Sequence, residues 1–255
     1  MRSLFVLTLL STVVPACGDA VHAANIPPEK QSPAPRPAAT APADAPAAAS
    51  PKADAPLDPG RGLEVGQVFE AYLSPHQEGD EEENTPKTTP EQFKSKGASQ
   101  SRAEREAAGH RAHGRVRFTR DFSRAYVDVK IEGVKLEEVN MFHIHCGKPG
   151  ILGPILLDFA VVTDLQTELA DGTLSLEIRN EHIVKTAEHG HGVLGAFTMG
   201  CVIPSPSLGA VKPSKVSTIA GMAQMAADGE LYFNLHTTSQ TYFGDIRGQI
   251  HHAAQ

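Results

Sequence analysis

Period-two alternation of apolar and polar residues is the feature that most restricts what this chain can fold into. Over residues 63–73, Leu63, Val65, Gln67, Phe69, Ala71 and Leu73 alternate with Glu64, Gly66, Val68, Glu70 and Tyr72. Successive side chains of a strand point to opposite faces, so this run makes a strand with one largely apolar face. Strand signals return at 115–119, 124–131, 139–145, 173–178, 231–236 and 245–250. Residues 154–161 form a nearly continuous apolar run that suits a buried strand. Gly133 and Asp171-Gly172 break the runs, and only residues 216–227 have helical composition, ending at Asp228-Gly229. The expectation is an all-β domain. It would be an antiparallel, Greek-key-like β-sandwich or barrel of about seven or eight strands, with long loops and one short helix.

The first quarter of the chain cannot join that core. Met1-Arg2 precedes an apolar run over residues 4–14, too short for the ~20 residues a spanning helix needs. Residues 1–24 therefore read as a secretory signal. Two endings compete: Val14-Pro15-Ala16-Cys17 resembles a lipobox, making Cys17 a candidate lipidation site, whereas Val21-His22-Ala23 suits an ordinary signal peptidase. Residues 25–60 are rich in Pro and Ala. They have too few apolar side chains to offset ordering entropy, and read as a disordered, semi-rigid tether. Residues 61–255 are left as the folded domain. The expected location is outside the cytoplasm, in the periplasm or at the cell surface, with an outer-membrane lipoprotein among the options and the membrane a partner through the lipid.

If Cys17 is used by lipid or lost with the signal, Cys146 and Cys201 remain. An exported pair can form a disulfide, with two separate thiols as the alternative. A formal charge of −7, no basic run and no Trp exclude nucleic acid as a partner. No protein partner is indicated. The polar stretch over residues 74–109 carries an acidic run, Asp80-Glu81-Glu82-Glu83, without the alternating ligands of a calcium loop, and reads as a solvated excursion or short helix.

Histidine is the conspicuous residue, with 12 in the chain. In Phe142-His143-Ile144-His145 the two imidazoles leave the strand on the face opposite Phe142 and Ile144. They are spaced about 6.6–7 Å apart along it, close enough to converge on an ion bonded at ~2 Å. In Leu231-Tyr232-Phe233-Asn234-Leu235-His236, the leucines and Phe233 face the core and His236 faces away. If these strands are neighbours, three imidazoles meet outside the core as a metal site. His189 and His191 sit in a glycine-rich stretch, Glu188-His189-Gly190-His191-Gly192, that could fold over it. Asn234 shares the face of His236 and can orient its ring, and Arg247 and Asp245 share a face as a structural pair nearby. His76, His110, His113 and His182 read as solvated, and His251 shares a face with Arg247 and Gln249. Three imidazoles suit copper or zinc, and the Irving–Williams order tips the expectation towards copper.

At these residues the chain resembles the CHRD domain, first named from chordin and common in exported bacterial proteins. One block is Phe142-His143-Ile144-His145-Cys146-Gly147-Lys148-Pro149-Gly150, continuing to Gly153-Pro154-Ile155. The other runs from Gly229 through Tyr232, Asn234, His236 and Thr237-Thr238 to Gly244-Asp245-Ile246-Arg247-Gly248-Gln249, with Asp245 where the family pattern has Glu. The likeness spans residues 63–251, its specific matches confined to those blocks. It implies a β-rich extracytoplasmic module and leaves activity open.

Three functional readings follow. The first is an exported, membrane-tethered copper-binding protein for storage, buffering or delivery. The second is a non-metal binding or adhesion module in which the histidines make structural hydrogen bonds. The third is a redox enzyme of the superoxide-dismutase kind, which needs a second metal set that the sequence does not display. Hydrolase chemistry finds no support: there is no Gly-x-Ser-x-Gly elbow, His-Glu-x-x-His helix or phosphate loop.

Overall fold

The structure, a computed structural model, describes residues 64–79, 85–189, 198–202 and 214–254. The signal and lipidation readings, the Pro/Ala tether and His191 lie outside the described residues. Strands β1 (Val65–Leu73), β2 (Arg111–Thr119) and β3 (Ala125–Glu132) form an antiparallel meander. Strand β6 (Thr173–Ile178) adds beside β3, and β9 (His251–His252) beside β1, to complete a five-stranded sheet. The second sheet has the order β5 (Ile155–Asp158), β4 (Val139–Cys146), β7 (Leu231–Thr237), β8 (Ile246–Gln249). All its pairs are antiparallel too. The two sheets do not close on each other, so the expected all-β fold is a sandwich rather than a barrel.

The extra strand comes from the chain's last apolar run, which splits in two. After Gln249 the chain leaves the second sheet, buries Ile250, and pairs His251 with Glu70 in the first. The same corner is closed by a reciprocal pair: Ser74 N–H donates to the Arg247 carbonyl at 2.9 Å, and Arg247 N–H to that of Ser74 at 3.2 Å.

Alternation fixes what each sheet gives to the core. Phe69, Ala71 and Leu73 of β1 are buried, and Phe142, Ile144, Phe233 and Leu235 come from the facing sheet. Phe142 lies 4.9 Å from Phe159 and 5.9 Å from Phe233, ring centre to ring centre. Gly114 on β2 leaves room for this cluster, since a Cβ there would meet the Phe233 ring at 2.9 Å. Each such phenyl ring contributes roughly 1.5–3 kcal/mol by burial.

Four α-helices are present among the described residues, where the sequence suggested one. Helix α1 (Arg102–Ala107) opens on a capping box between Ser101 and Glu104, and α2 (Leu165–Glu168) is capped by Asp164. Helix α3 (Asn180–His189) buries Ile183 and Thr186. The expected helix, α4 (Ile219–Ala227), buries Ile219, Met222, Ala223 and Ala226, the stripe its spacing dictates, and Thr218 caps it. Of the other three, α1 falls in the polar stretch over residues 74–109, and all three have too few apolar residues for period 3.6 to announce them.

Cys146 at the end of β4 and Cys201 form a disulfide, their Cα atoms 6.1 Å apart. The bridge closes a span of 55 residues, for which chain entropy gives ~4 kcal/mol of stabilisation. Cys146→Ser with Cys201→Ser is expected to lower unfolding free energy by about that amount in urea. Unchanged stability would show that the bridge constrains nothing in the unfolded chain.

Candidate metal centre

Register places the three histidines on one surface of the second sheet. Strands β4 and β7 pair so that Met141 faces His236, His143 faces Asn234 and His145 faces Tyr232. Asp158 of β5 faces His143 on its other side, and Arg247 of β8 faces Asn234. The cross-strand row is therefore Asp158, His143, Asn234, Arg247. The imidazole of His143 lies 5.2 Å, centre to centre, from both His145 and His236. One ring nitrogen of each histidine lies within 4.8 Å of one from each of the other two.

This surface is turned away from the phenylalanine core, as the alternation predicted, yet it is not open. His143, His145 and His236 are only 3, 6 and 4 % exposed. Burial disfavours the charged imidazolium and holds His143 well below its usual pKa, an effect reinforced by the neighbouring His145 and His236. It pushes His145 down to about 3, although a hydrogen bond to the Gly153 carbonyl opposes the shift. His236 is pushed down to about 4, opposed by the Thr241 carbonyl and by the charge of Asp245. All three rings are neutral at pH 7, the state in which imidazole ligates a metal.

Two backbone carbonyls decide which nitrogen is available. His145 Nδ1 donates to Gly153 O at 2.9 Å, and His236 Nδ1 to Thr241 O at 3.0 Å. That leaves the Nε2 lone pair on each ring, and both Nε2 atoms are buried without a hydrogen-bond partner. In His143 the unpartnered buried nitrogen is Nδ1, while Nε2 faces Asp158 Oδ1 at 3.7 Å. An unpaired buried nitrogen costs roughly 1–3 kcal/mol. Three of them lie on mutually adjacent rings, and one cation placed among them would give each a partner.

The loops that carry those carbonyls are themselves held. Arg247 donates to the carbonyls of Lys148 and Ile151 at 3.1 and 3.0 Å. Its guanidinium also lies 3.4 Å over the Tyr232 ring, which stacks on His145 at 5.0 Å and 8°. Gln249 Nε2 donates to the carbonyls of Gly147, Gly229 and Leu231. Gly153 N–H donates to Tyr232 Oη, and a Cβ on Gly153 would fall 1.6 Å from Cys146 O, so this position must be glycine. On the other side, Thr241 N–H donates to Ser95 Oγ, Gln240 Nε2 to Gln100 O, and Lys96 N–H to Thr238 O. The polar excursion before α1 thus straps down the loop that orients His236.

The remaining expected site residues divide. His189 ends α3, is exposed, and is not one of the three-nitrogen group. Asn234 on β7 is fully buried and donates to Phe243 O, which fixes the loop rather than a histidine ring. Arg247 and Asp245 are not paired with each other, because nearer partners claim both. Asp245 takes His110 Nδ1 at 2.6 Å and Thr237 Oγ1 at 3.1 Å. His110 is consequently buried instead of solvated, a contact 135 residues away in sequence that no local pattern announces. His251 belongs to the opposite sheet. Tyr232 and the Gly153 and Thr241 carbonyls were missed as supports; the glycine-rich run after Cys146 was the one available signal.

Comparison with known proteins gives one finding: the CHRD domain matches residues 92–250. No curated protein and no solved structure matches the chain.

The lowered histidine pKa values predict how the metal-free protein meets acid. Between the ordinary value of 6.5 and the folded values of about 3 to 4, the unfolded chain binds more protons at these rings than the fold does. Stability is therefore full above pH 6.5 and drains as pH falls, by up to about 1.4 kcal/mol per pH unit for each ring. Urea midpoints of chelator-treated protein should drop from pH 7.5 to pH 5. Equal midpoints would contradict burial of neutral rings.

Proposed function

The chain belongs to the CHRD domain family, and from that premise we propose that it is an exported copper-binding protein that stores, buffers or delivers the ion. The observation that carries this reading is the convergence of three buried imidazoles, each with one unpartnered nitrogen. His143, His145 and His236 are the ligands. Gly153 and Thr241 fix two of the tautomers, and Asp158 sits behind the third ring as carboxylates commonly sit behind metal-bound histidines. Zinc is the alternative ion for the same donors. Export rests on the amino-terminal sequence and is supported by the Cys146–Cys201 bridge, a bond that persists in oxidising compartments. A lipid on Cys17 followed by the Pro/Ala tether would hold the domain off a membrane surface. No helix among the described residues is long and apolar enough to cross one.

A cation that binds only the folded state raises stability, by about 2.7 kcal/mol at a free concentration a hundred times Kd. Titrating the chelator-treated full chain with copper is expected to give one equivalent bound and a higher Tm. The variant carrying His143→Ala, His145→Ala and His236→Ala should lose both. Identical binding and melting of the two proteins would leave the histidines as structural groups of a non-metal binding module.

A further inference from the structure

Resting on that metal-binding reading, we propose that the His143–His145–His236 pocket selects monovalent copper over divalent copper or zinc. The donor set is wholly neutral: among the described residues, the group of nitrogens within 4.8 Å of one another includes no carboxylate and no thiolate. The thiol nearest in sequence, Cys146, alternates to the opposite face of β4 and is taken by Cys201. An ion in this pocket therefore brings all its charge into a place where the ligands are at most 6 % exposed. The self-energy of a buried ion grows as the square of its charge, so a dication faces roughly four times the desolvation of a monocation.

The surroundings push the same way. The Arg247 guanidinium is held over Tyr232, whose ring stacks on His145, so a fixed positive charge stands one ring away from a ligand. Its two bonds to the Lys148 and Ile151 carbonyls keep it from swinging out to solvent. Asp245, whose charge reaches His236, is engaged by His110 and Thr237. Asp158 meets the Nε2 side of His143, 3.7 Å away, rather than its unpartnered Nδ1. Coordination number agrees as well. Zinc on three histidines completes its tetrahedron with a water and divalent copper prefers a tetragonal set, whereas monovalent copper, which carries one charge and needs no fourth donor, rests with three nitrogens.

The test measures three affinities on the full chain, each against the triple His→Ala variant. Cu⁺ is titrated without oxygen in ascorbate against a chromogenic Cu⁺ chelator, and Zn²⁺ and Cu²⁺ against chelators of matched strength. X-ray absorption of the Cu⁺-loaded protein then counts ligands. The expected result is histidine-dependent Cu⁺ binding at least a hundredfold tighter than either dication, with three nitrogen neighbours. Histidine-dependent binding of Zn²⁺ or Cu²⁺ within tenfold of Cu⁺ would overturn the selectivity and leave the metal-binding reading standing. Absence of histidine-dependent binding by any of the three ions would overturn that reading itself, and the selectivity with it.

Discussion

Three imidazole nitrogens buried on adjacent strands without a hydrogen-bond partner are the constraint around which this sandwich is organised. A buried polar atom left unpaired normally costs more than a hydrogen bond returns, and proteins seldom carry several in one place. Here the rings are also driven to the neutral state by their own burial. The surrounding chain does not relieve the strain by pairing those nitrogens. It pairs the other nitrogen of His145 and His236 instead, which leaves the Nε2 lone pairs buried and unpaired.

The two blocks that carry the family likeness are two halves of one device. The glycine-rich loop after Cys146 supplies the carbonyl that orients His145, and Arg247 and Gln249 of the second block grip that loop through its own carbonyls. A loop of glycines without those grips would lose its fixed shape, since glycine sacrifices the most backbone freedom on ordering. The loop after Thr237 supplies the carbonyl for His236. It is held from within by Asn234 and from outside by Ser95 and Gln100. Each loop that orients a histidine therefore depends on residues distant in sequence.

Much of this architecture was legible beforehand. Period-two alternation located the strands to within a few residues, and the His-x-His pair with His236 followed from asking which face each side chain takes. Alternation can say that a face is turned from the core; it cannot say whether something covers it. That is why the site's burial, and the pKa shifts that follow from it, came only with the structure. The bond between His110 and Asp245 and the strap over Thr241 were hidden because their partners lie more than a hundred residues apart. Helix α3 was missed for another reason: it buries only Ile183 and Thr186, too thin a stripe to stand out. The divided last strand follows from the corner at Ser74 and Arg247, a tertiary contact that no run of residues encodes.

The central claim is that three specific nitrogens share one cation: Nδ1 of His143 and Nε2 of His145 and His236. Two-bond proton–nitrogen correlation of the ring nitrogens, with and without one equivalent of copper, addresses each atom separately. The account predicts that metal-free His145 and His236 carry their proton on Nδ1 and stay neutral below the usual histidine pKa. Loading should then move the resonances of those three nitrogens alone. Rings that protonate near pH 6.5, or spectra unchanged by the ion, would contradict it.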